Sequence, residues 1–329
     1  MIINKSKKLP EVVSQISSQE IFSIFQKRYS EIAPVWMPLQ IQWMNEVYKT
    51  FYDYEKFMII MHLMTKTFDF YSKNFIKLNY QEFFNQDQVE IEKFYVMEIS
   101  KSLNIAKETA RRKINELEKL GTIKRLQKKI IIDKTTWISI KPENTMIRVS
   151  RFLSTLSKII CEEKIISEPI NSLQLIDAAK ENFSYVWILY YGMQMPMLLN
   201  FKKMHGDLET FHIHAICLVN QALNSKKNDN TQMSREYYME KYFFSNNNAN
   251  FVGINAMSIS DITGIPRATV IRKLNKLIKN NFLSINDKKQ YTTTGYHQKK
   301  LLEIQKINLI NLSKFAARIY NLSRSYKKN

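Results

Sequence analysis

The chain has 329 residues, of which 45% are hydrophobic and only 6 are Gly and 7 Pro; this composition excludes a disordered or low-complexity protein, and the length favours two domains. The 49 Lys and Arg residues outnumber the 30 Asp and Glu residues and give a formal net charge of +19, which favours polyanionic partners such as nucleic acid or acidic lipid. The two cysteines are too few for a disulfide framework or a cysteine zinc site, which suits a reducing cytoplasm.

The amino terminus and the most apolar segment give no sign of a membrane. The lysines near the amino terminus are followed by no apolar stretch, so no signal peptide is expected. Residues 186–199 form the most apolar run, but they include Gly192 and Pro196 and are too short to cross a bilayer core about 30 Å thick. We therefore expect a soluble protein of the cytoplasm.

Residues 97–123 recur 160 positions later as residues 257–283. The two segments share ten identical residues, which in the first are Met97, Ile99, Ser100, Ile105, Thr109, Arg112, Lys113, Asn115, Leu117 and Lys119. A second matching stretch begins at Asp53 and Asp207, 154 positions apart, and each Asp is expected to cap the start of a helix. The difference of six positions fits a polar insertion at residues 224–230.

These matches predict an internal duplication, with an N-terminal repeat at residues 1–170 and a C-terminal repeat at residues 171–329. We expect a mainly α fold in which each repeat embeds a winged helix-turn-helix module with a small β-hairpin wing, at about residues 80–140 and 240–296. A final helix at residues 296–326 has an apolar face. That face could join two chains into a homodimer or pack against its own chain.

In the first module, residues 98–103 predict a short helix, residues 104–105 a tight turn and residues 107–120 a longer helix. Strands at residues 122–126 and 129–132 then form a hairpin with a lysine-rich turn. This order of helix, turn, helix and two-stranded wing is that of a winged helix.

The second module repeats this order. Residues 261–263 belong to the short helix, Gly264 supplies a left-handed turn residue, and Pro266 favours the first turn of the longer helix. Residues 282–285 and 290–293 predict the two strands of the wing.

The helix-turn-helix segments share a spaced pattern, which in the first copy comprises Ile99, Ser100, Ile105, Thr109, Arg112, Leu117, Leu120 and Gly121, and in the second Ile259, Ser260, Asp261, Ile262, Gly264, Ile265, Pro266, Thr269 and Val270. The pattern resembles bacterial winged-helix regulators of the MarR and IclR kind and covers a minority of the chain. The resemblance implies binding of double-stranded DNA, with the longer helix of each module in the major groove.

Helical geometry places Glu108, Arg112 and Asn115 on the side of the longer helix opposite its apolar face, and Arg and Asn are the side chains that contact guanine and adenine bidentately. Thr commonly binds phosphate, and lysines of the wings are suited to the DNA backbone. The candidate DNA-binding residues are Lys107, Glu108, Thr109, Arg111, Arg112, Asn115, Lys128, Lys129, Arg267, Thr269, Arg272, Asn275, Lys288 and Lys289.

The positive charge is concentrated on the same elements. Residues 107–129 contain nine cationic and three acidic side chains, and residues 267–289 contain seven and one, so each segment has a net charge of +6. Two short segments therefore account for most of the charge of the whole chain. Such a patch predicts that affinity for DNA falls steeply with salt.

These features predict a nucleoid-associated transcriptional regulator that uses two recognition helices from one chain, spaced about one helical turn of DNA, roughly 34 Å, apart. Glu108 and Arg111 are replaced by Ala268 and Ile271 in the second copy, which predicts two related but non-identical half-sites. Two alternatives remain open. A plasmid-type replication initiator also pairs two winged helices, and a structural protein could use them to bind protein partners.

Two other patterns have a simpler explanation as packed core. His212 and His214 lie two apart on a predicted helix and point to different faces, so we expect no metal site there with His205, Asp207 or Glu209. The aromatic and Met residues could line a pocket for a small-molecule effector of unknown identity, although such density is typical of core; they are Tyr185, Trp187, Tyr190, Tyr191, Met193, Met195 and Met197. No motif of an enzyme is present, so we expect neither catalysis nor a cofactor.

Overall fold

In the computed structural model, residues 14–91, 95–127, 129–135, 142–226, 231–244 and 251–325 are described, and they form a mainly helical protein with two small antiparallel sheets. The helices are α1 (Ser18–Lys27), α2 (Tyr29–Phe51), α3 (Tyr54–Lys73), α4 (Tyr80–Phe84), α5 (Val96–Leu103), α6 (Lys107–Lys119), α7 (Pro142–Glu162), α8 (Ser172–Glu181), α9 (Phe183–His205), α10 (Leu208–Lys226), α11 (Arg235–Met239), α12 (Ala256–Thr263), α13 (Arg267–Lys279) and α14 (Gln298–Ser325), with a π-helical turn at Glu240–Phe244. The strands are β1 (Gln88–Ile91), β2 (Ile123–Leu126), β3 (Lys129–Asp133), β4 (Leu283–Ile285) and β5 (Tyr291–Thr293).

Side-chain caps fix where several of these helices begin. Asp53 accepts hydrogen bonds from the N–H groups of Glu55 and Lys56 at the start of α3, and Asp207 accepts one from the N–H of Thr210 at the start of α10. Such bonds satisfy amide groups that have no partner within the first turn. The helix-capping role predicted for both aspartates is therefore confirmed.

The helix bounds recur at constant offsets along the chain. Both ends of α1 and α2 lie 154 positions before those of α8 and α9, and both ends of α5 and α6 lie 160 positions before those of α12 and α13. The offset changes after α10, where the sequence predicts a polar insertion. Within that insertion, residues 227–230 lie outside the described residues.

Helices of the two halves pack against each other in reciprocal pairs. α1 packs on α14 while α8 packs on α7, and α3 packs on α9 while α10 packs on α2. Two hydrogen bonds follow the same pattern: Ser30 Oγ accepts from the N–H of Met233 at 2.8 Å, and Ser184 Oγ accepts from the N–H of Leu78 at 3.0 Å. The hydrophobic core is consequently continuous across residue 170, the expected boundary between the repeats.

The helix pairs α5–α6 and α12–α13 are each followed by an antiparallel hairpin at the predicted place. β3 pairs with both β1 and β2, and β4 pairs with β5, which also forms a bridge through Tyr291 to Ile254. The strands β2 and β4 begin one residue later than the sequence predicts. The reason is that Thr122 and Phe282 donate their N–H groups back to carbonyls of the preceding helix, at Leu117 and Leu277, and so still belong to the helix end.

The apolar face of α14 packs against α1, α8 and α9 of the same chain, the second of the two roles open to it. The side-chain amide of Asn321 accepts a hydrogen bond from the N–H of Ile16 at 2.8 Å and donates one to the carbonyl of Ile16 at 2.9 Å. Tyr320 donates to the carbonyl of Leu153 at 2.6 Å. Within the described part of the chain, no helix is both long and apolar enough to cross a membrane.

Candidate nucleic-acid interface

The turns between the paired helices have the same construction in both modules. Asn104 and Gly264 adopt left-handed backbone conformations, with φ of 50° and 73°, which let the chain reverse between the two helices. Ser100 Oγ donates to the carbonyl of Ile105, and Ser260 Oγ donates to that of Ile265, each at 2.7 Å. The buried faces of α6 and α13 then hold each longer helix against its module core; they comprise Ala110, Ile114 and Leu117 in α6 and Val270, Leu274 and Leu277 in α13.

The start of α6 presents the predicted side chains to solvent, but their charges are partly neutralised. Lys107, Glu108, Arg111 and Arg112 are exposed, and Thr109 is half-buried. Arg111 lies 3.1 Å from a carboxylate oxygen of Glu108, and Nε of Arg112 lies 3.8 Å from one of Glu116. The first module therefore presents less free positive charge than its count of cations suggests.

The start of α13 presents the same face, and its cations are not neutralised by a carboxylate of the described residues. Arg267 and Arg272 are exposed and form no ion pair within the described residues, and Thr269 is half-buried. Ala268 stands where α6 has Glu108. This module accordingly offers the more positive surface to a polyanion.

The two asparagines expected on the exposed faces differ in placement. Asn275 is exposed, as predicted, whereas Asn115 is half-buried and its side-chain oxygen is inaccessible to solvent and has no hydrogen-bond partner. At this position α6 is packed more closely against the rest of the protein than the helical periodicity of its sequence indicates. A base contact by Asn115 requires its amide to turn outward.

The wings also differ between the modules. Lys129 is paired with Glu90 across β3 and β1, whereas Lys288 and Lys289 are exposed at the turn between β4 and β5 and form no ion pair within the described residues. Lys128, the other wing lysine predicted to contact DNA, lies outside the described residues.

One lysine of each longer helix faces the protein body and not the solvent. Lys113 is paired with Asp53, and Nζ of Lys273 lies 2.7 Å from Oδ1 of Asp207. Both lysines contribute to the cationic segments counted from the sequence, and that count overstates the charge available to DNA. Burial favours the protonated acid, but the bonds from Lys273 and Thr210 nevertheless hold the pKa of Asp207 well below its usual value.

These pairs join each longer helix to the first turn of the third helix of its half, α3 or α10. Sequence reasoning identified Asp53 and Asp207 only as caps and missed their ionic partners. The signal was present, because Lys113 and Lys273 are identical between the copies while solvent-exposed neighbours such as Arg111 and Ile271 differ.

Three of the five histidines form side-chain hydrogen bonds inside the helical core. Tyr54 Oη lies 2.6 Å from Nδ1 of His212, and Nε2 of His205 lies 2.9 Å from Nδ1 of His214. Burial lowers the pKa of His205 to about 4 and of His212 to about 3, so both are neutral near pH 7. Among the described residues, no group of three or more His, Cys, Asp or Glu side chains is placed to hold a metal ion.

Residues 90–135 match the model of the DeoR-like helix-turn-helix domain. The matched segment contains α5, α6, β2 and β3. None of the curated proteins and none of the solved structures matches the chain. The match supports the prediction of a winged-helix DNA-binding protein for the first module, with DNA as a partner. The resemblance to MarR and IclR regulators stays a prediction.

Proposed function

We propose that the protein is a transcriptional regulator that binds double-stranded DNA sequence-specifically with α6 and α13, one recognition helix from each half of the chain. The observation that supports this most directly is the helix-turn-helix match at residues 90–135 together with the exposed cations at the start of both helices. A helix whose first two turns present exposed Arg beside a half-buried Thr is suited to phosphate and base contacts in the major groove.

The proposal of two modules draws support from features that lie outside the family match. The bounds of α5 and α6 recur 160 positions later in α12 and α13, and the serine hydrogen bond across the turn recurs with them. The ion pair between the longer helix and the capping aspartate recurs as well. A duplicated chain with reciprocal helix packing would supply from one molecule the two recognition helices for which other winged-helix proteins form homodimers.

Specific roles follow from exposure. We assign Arg112 and Arg272, which are exposed, to contacts with guanine, and the exposed Asn275 to a contact with adenine. Thr109 and Thr269 are suited to phosphates at the edge of the groove. Each good bidentate base contact contributes about 1–3 kcal/mol of discrimination between bases.

The test is selection of tight binders by the purified full-length protein from random-sequence duplex DNA, followed by a salt titration on the selected sequence. We expect a two-part motif with non-identical halves and a steep loss of affinity with salt. Salt-sensitive binding without a motif would show that the protein contacts only the DNA backbone, which contradicts sequence-specific binding. No binding at physiological salt would contradict the whole proposal.

Charge-reversal variants separate DNA contacts from a role in binding proteins. Arg112→Glu and Arg272→Glu are each expected to abolish binding to the selected duplex. Arg151→Glu is the matched control, because Arg151 is exposed on α7, which belongs to neither module. Unchanged DNA binding by both module variants would contradict the assigned role of these helices.

A further inference from the structure

The exposed face of α13 combines charged, polar and apolar side chains. At about 100° per residue, five exposed residues fall within about 140° of the helix circumference. In order around the helix they are Arg267, Ile271, Asn275, Ala268 and Arg272. The buried residues of α13 lie on the opposite side. The five side chains therefore form one surface that is open to a partner.

Two apolar residues on this surface replace a charged pair of the first module. Ile271 and Ala268 stand 160 positions after Arg111 and Glu108, and a guanidinium nitrogen of Arg111 lies 3.1 Å from a carboxylate oxygen of Glu108. Ile271 is 38% exposed. An exposed isoleucine on its own requires no explanation. Here, however, an acid and a base are replaced together on one face, and the result is an apolar strip formed by Ile271 and Ala268.

The surroundings of the apolar strip favour DNA over a protein as its partner. Arg267 and Arg272 lie on its two sides around the helix, and neither forms an ion pair within the described residues. Free guanidinium groups are suited to the phosphates of a nucleic acid. A stable interface between two proteins buries about 800 Å² on each partner, which is far more than one isoleucine and one alanine provide.

Double-stranded DNA offers one kind of apolar group in its major groove. The edges of guanine, adenine and cytosine present hydrogen-bond donors and acceptors there, whereas thymine also presents its C5 methyl group. An aliphatic side chain that faces the groove therefore gains an apolar contact at thymine. At the other bases it covers polar atoms without bonding to them, which is unfavourable.

Asn275 fits the same base pair. It is exposed and lies between Ile271 and Ala268 around the helix, and asparagine forms two hydrogen bonds with adenine, the partner of thymine. In the first module the side-chain oxygen of Asn115 is buried and has no partner. An exposed asparagine beside apolar side chains is therefore a feature of α13 and not of α6.

We propose that α13 recognises A·T base pairs and that Ile271 and Ala268 contact thymine methyl groups in the half-site bound by the second module. This inference rests on the proposed function and adds to it the bases that one module selects. Glu108 and Arg111 give the first module a charged surface at the same positions, so the two half-sites differ in their dependence on thymine methyl groups.

The test uses the full-length protein and the duplex that it selects from random sequence. The half-site of the second module is the one whose selected sequence changes in Arg272→Ala. Each thymine of that half-site is replaced in turn by deoxyuridine, which pairs with adenine in the same way and lacks only the methyl group. We expect the affinity to fall about fourfold for each methyl that is contacted. The same replacement in the flanking DNA should have no effect.

Two variants at isoleucines assign the contact. Ile271→Ala should bring the ratio of affinities for the thymine and deoxyuridine duplexes close to 1 at the thymine that Ile271 contacts. Ile307→Ala is the matched control, because Ile307 is exposed on α14, outside both modules, and it should keep the wild-type ratio. The ratio compares two duplexes with the same protein, so a general loss of stability does not change it. A wild-type ratio in Ile271→Ala would overturn the assignment.

A double variant transfers the apolar strip to the first module. Glu108→Ala with Arg111→Ile gives α6 the residues of α13, at two exposed positions where substitutions have little effect on folding. Repeated selection with this variant should enrich thymine in the half-site of the first module. An unchanged first half-site would contradict the role assigned to these two positions.

The remaining outcomes separate this inference from the proposed function. If the half-site of the second module lacks thymine, or if deoxyuridine binds equally well at every position, the inference is overturned while sequence-specific binding stands. If Arg272→Ala changes neither half-site, α13 contacts no base and the apolar strip belongs to a protein interface, which also overturns the inference. If the protein selects no duplex, the proposed function itself fails.

Discussion

Nζ of Lys273 lies 2.7 Å from Oδ1 of Asp207, so a lysine of α13 binds the carboxylate that caps α10. Glu209 contributes a second carboxylate oxygen 3.3 Å from the same ammonium. Lys113 and Asp53 form the equivalent pair in the first half. Each pair holds its helix, α6 or α13, against the helical body, and the lysine is part of that contact and not of the exposed charge.

Loss of this pair should loosen α13 from α10. We expect Lys273→Met to lower the free energy of unfolding by about 1–3 kcal/mol, because the Asp207 carboxylate is left partly buried with fewer partners. DNA affinity should also fall, since the helix is less well positioned. Urea unfolding and DNA titration of the variant measure the two effects.

Asp261→Ala provides the control for that prediction, because Asp261 is exposed on the neighbouring helix α12. It should leave the free energy of unfolding within about 0.5 kcal/mol of wild type. A double-mutant cycle of Lys273→Met with Asp207→Ala should give a positive coupling energy. Additive effects of the two substitutions would contradict the ion pair.

We expect Glu108 to weaken the first module as a DNA-binding surface. It is 75% exposed in its side chain and lies at the start of α6, where a carboxylate repels phosphate and also pairs with Arg111. We expect Glu108→Ala to raise DNA affinity severalfold without loss of stability. The measurement is a DNA titration at fixed salt.

Ala268→Glu is the reciprocal substitution, because Ala268 is the residue that the second copy has at this position. It should weaken DNA binding by a similar factor. If neither substitution changes affinity, the starts of α6 and α13 do not face DNA.

The sequence predicts the elements that follow local rules. The periodic apolar residues Ala110, Ile114 and Leu117 are buried in α6 as expected, and Gly264 occupies the left-handed turn that its lack of a side chain favours. The hairpins lie where their strand patterns predict them. Each of these features depends on residues close together in the chain.

The features that sequence reasoning missed depend on contacts between distant residues. α1 packs on α14 of the second half, and α8 packs on α7 of the first half. The sequence gives no local sign of this packing, because α1 and α8 share few residues although their bounds lie at a constant offset. The side-chain oxygen of Asn115 is buried because α6 packs closely against the rest of the protein at this position. A cavity of about 150 Å³ beside Gln194 likewise depends on side chains from α2, α9, α10, α11, the π-helical turn and α14.

Buried histidines make the stability of the fold depend on pH. Burial lowers the pKa of His205 to about 4 and of His212 to about 3, whereas a histidine in the unfolded chain titrates near 6.5. The unfolded state therefore binds more protons between these values. Stability should be complete above about pH 6.5 and should fall as the pH drops toward 4.

Urea unfolding at pH 7.5, 6.5 and 5.5 measures this dependence. Each histidine should contribute up to about 1.4 kcal/mol per pH unit below its unfolded pKa. His212→Asn removes one such group and should reduce the slope, although loss of the hydrogen bond to Tyr54 lowers the absolute stability. The same stability at all three pH values would contradict neutral, buried histidines.

The exposed lysines of the second wing should contribute more to DNA binding than the paired lysine of the first. Lys288 and Lys289 have no carboxylate partner among the described residues, whereas Lys129 must give up its contact with Glu90 before it can neutralise a phosphate. Each phosphate contact that is lost lowers the slope of log affinity against log salt by about 1. We therefore expect the double variant Lys288→Ala, Lys289→Ala to lower the slope by about 2, and Lys129→Ala by less than 1. Lys203→Ala, at an exposed position on α9, is the control and should leave the slope unchanged. A slope that changes equally in all of these variants would show that general charge, and not the wing, governs binding.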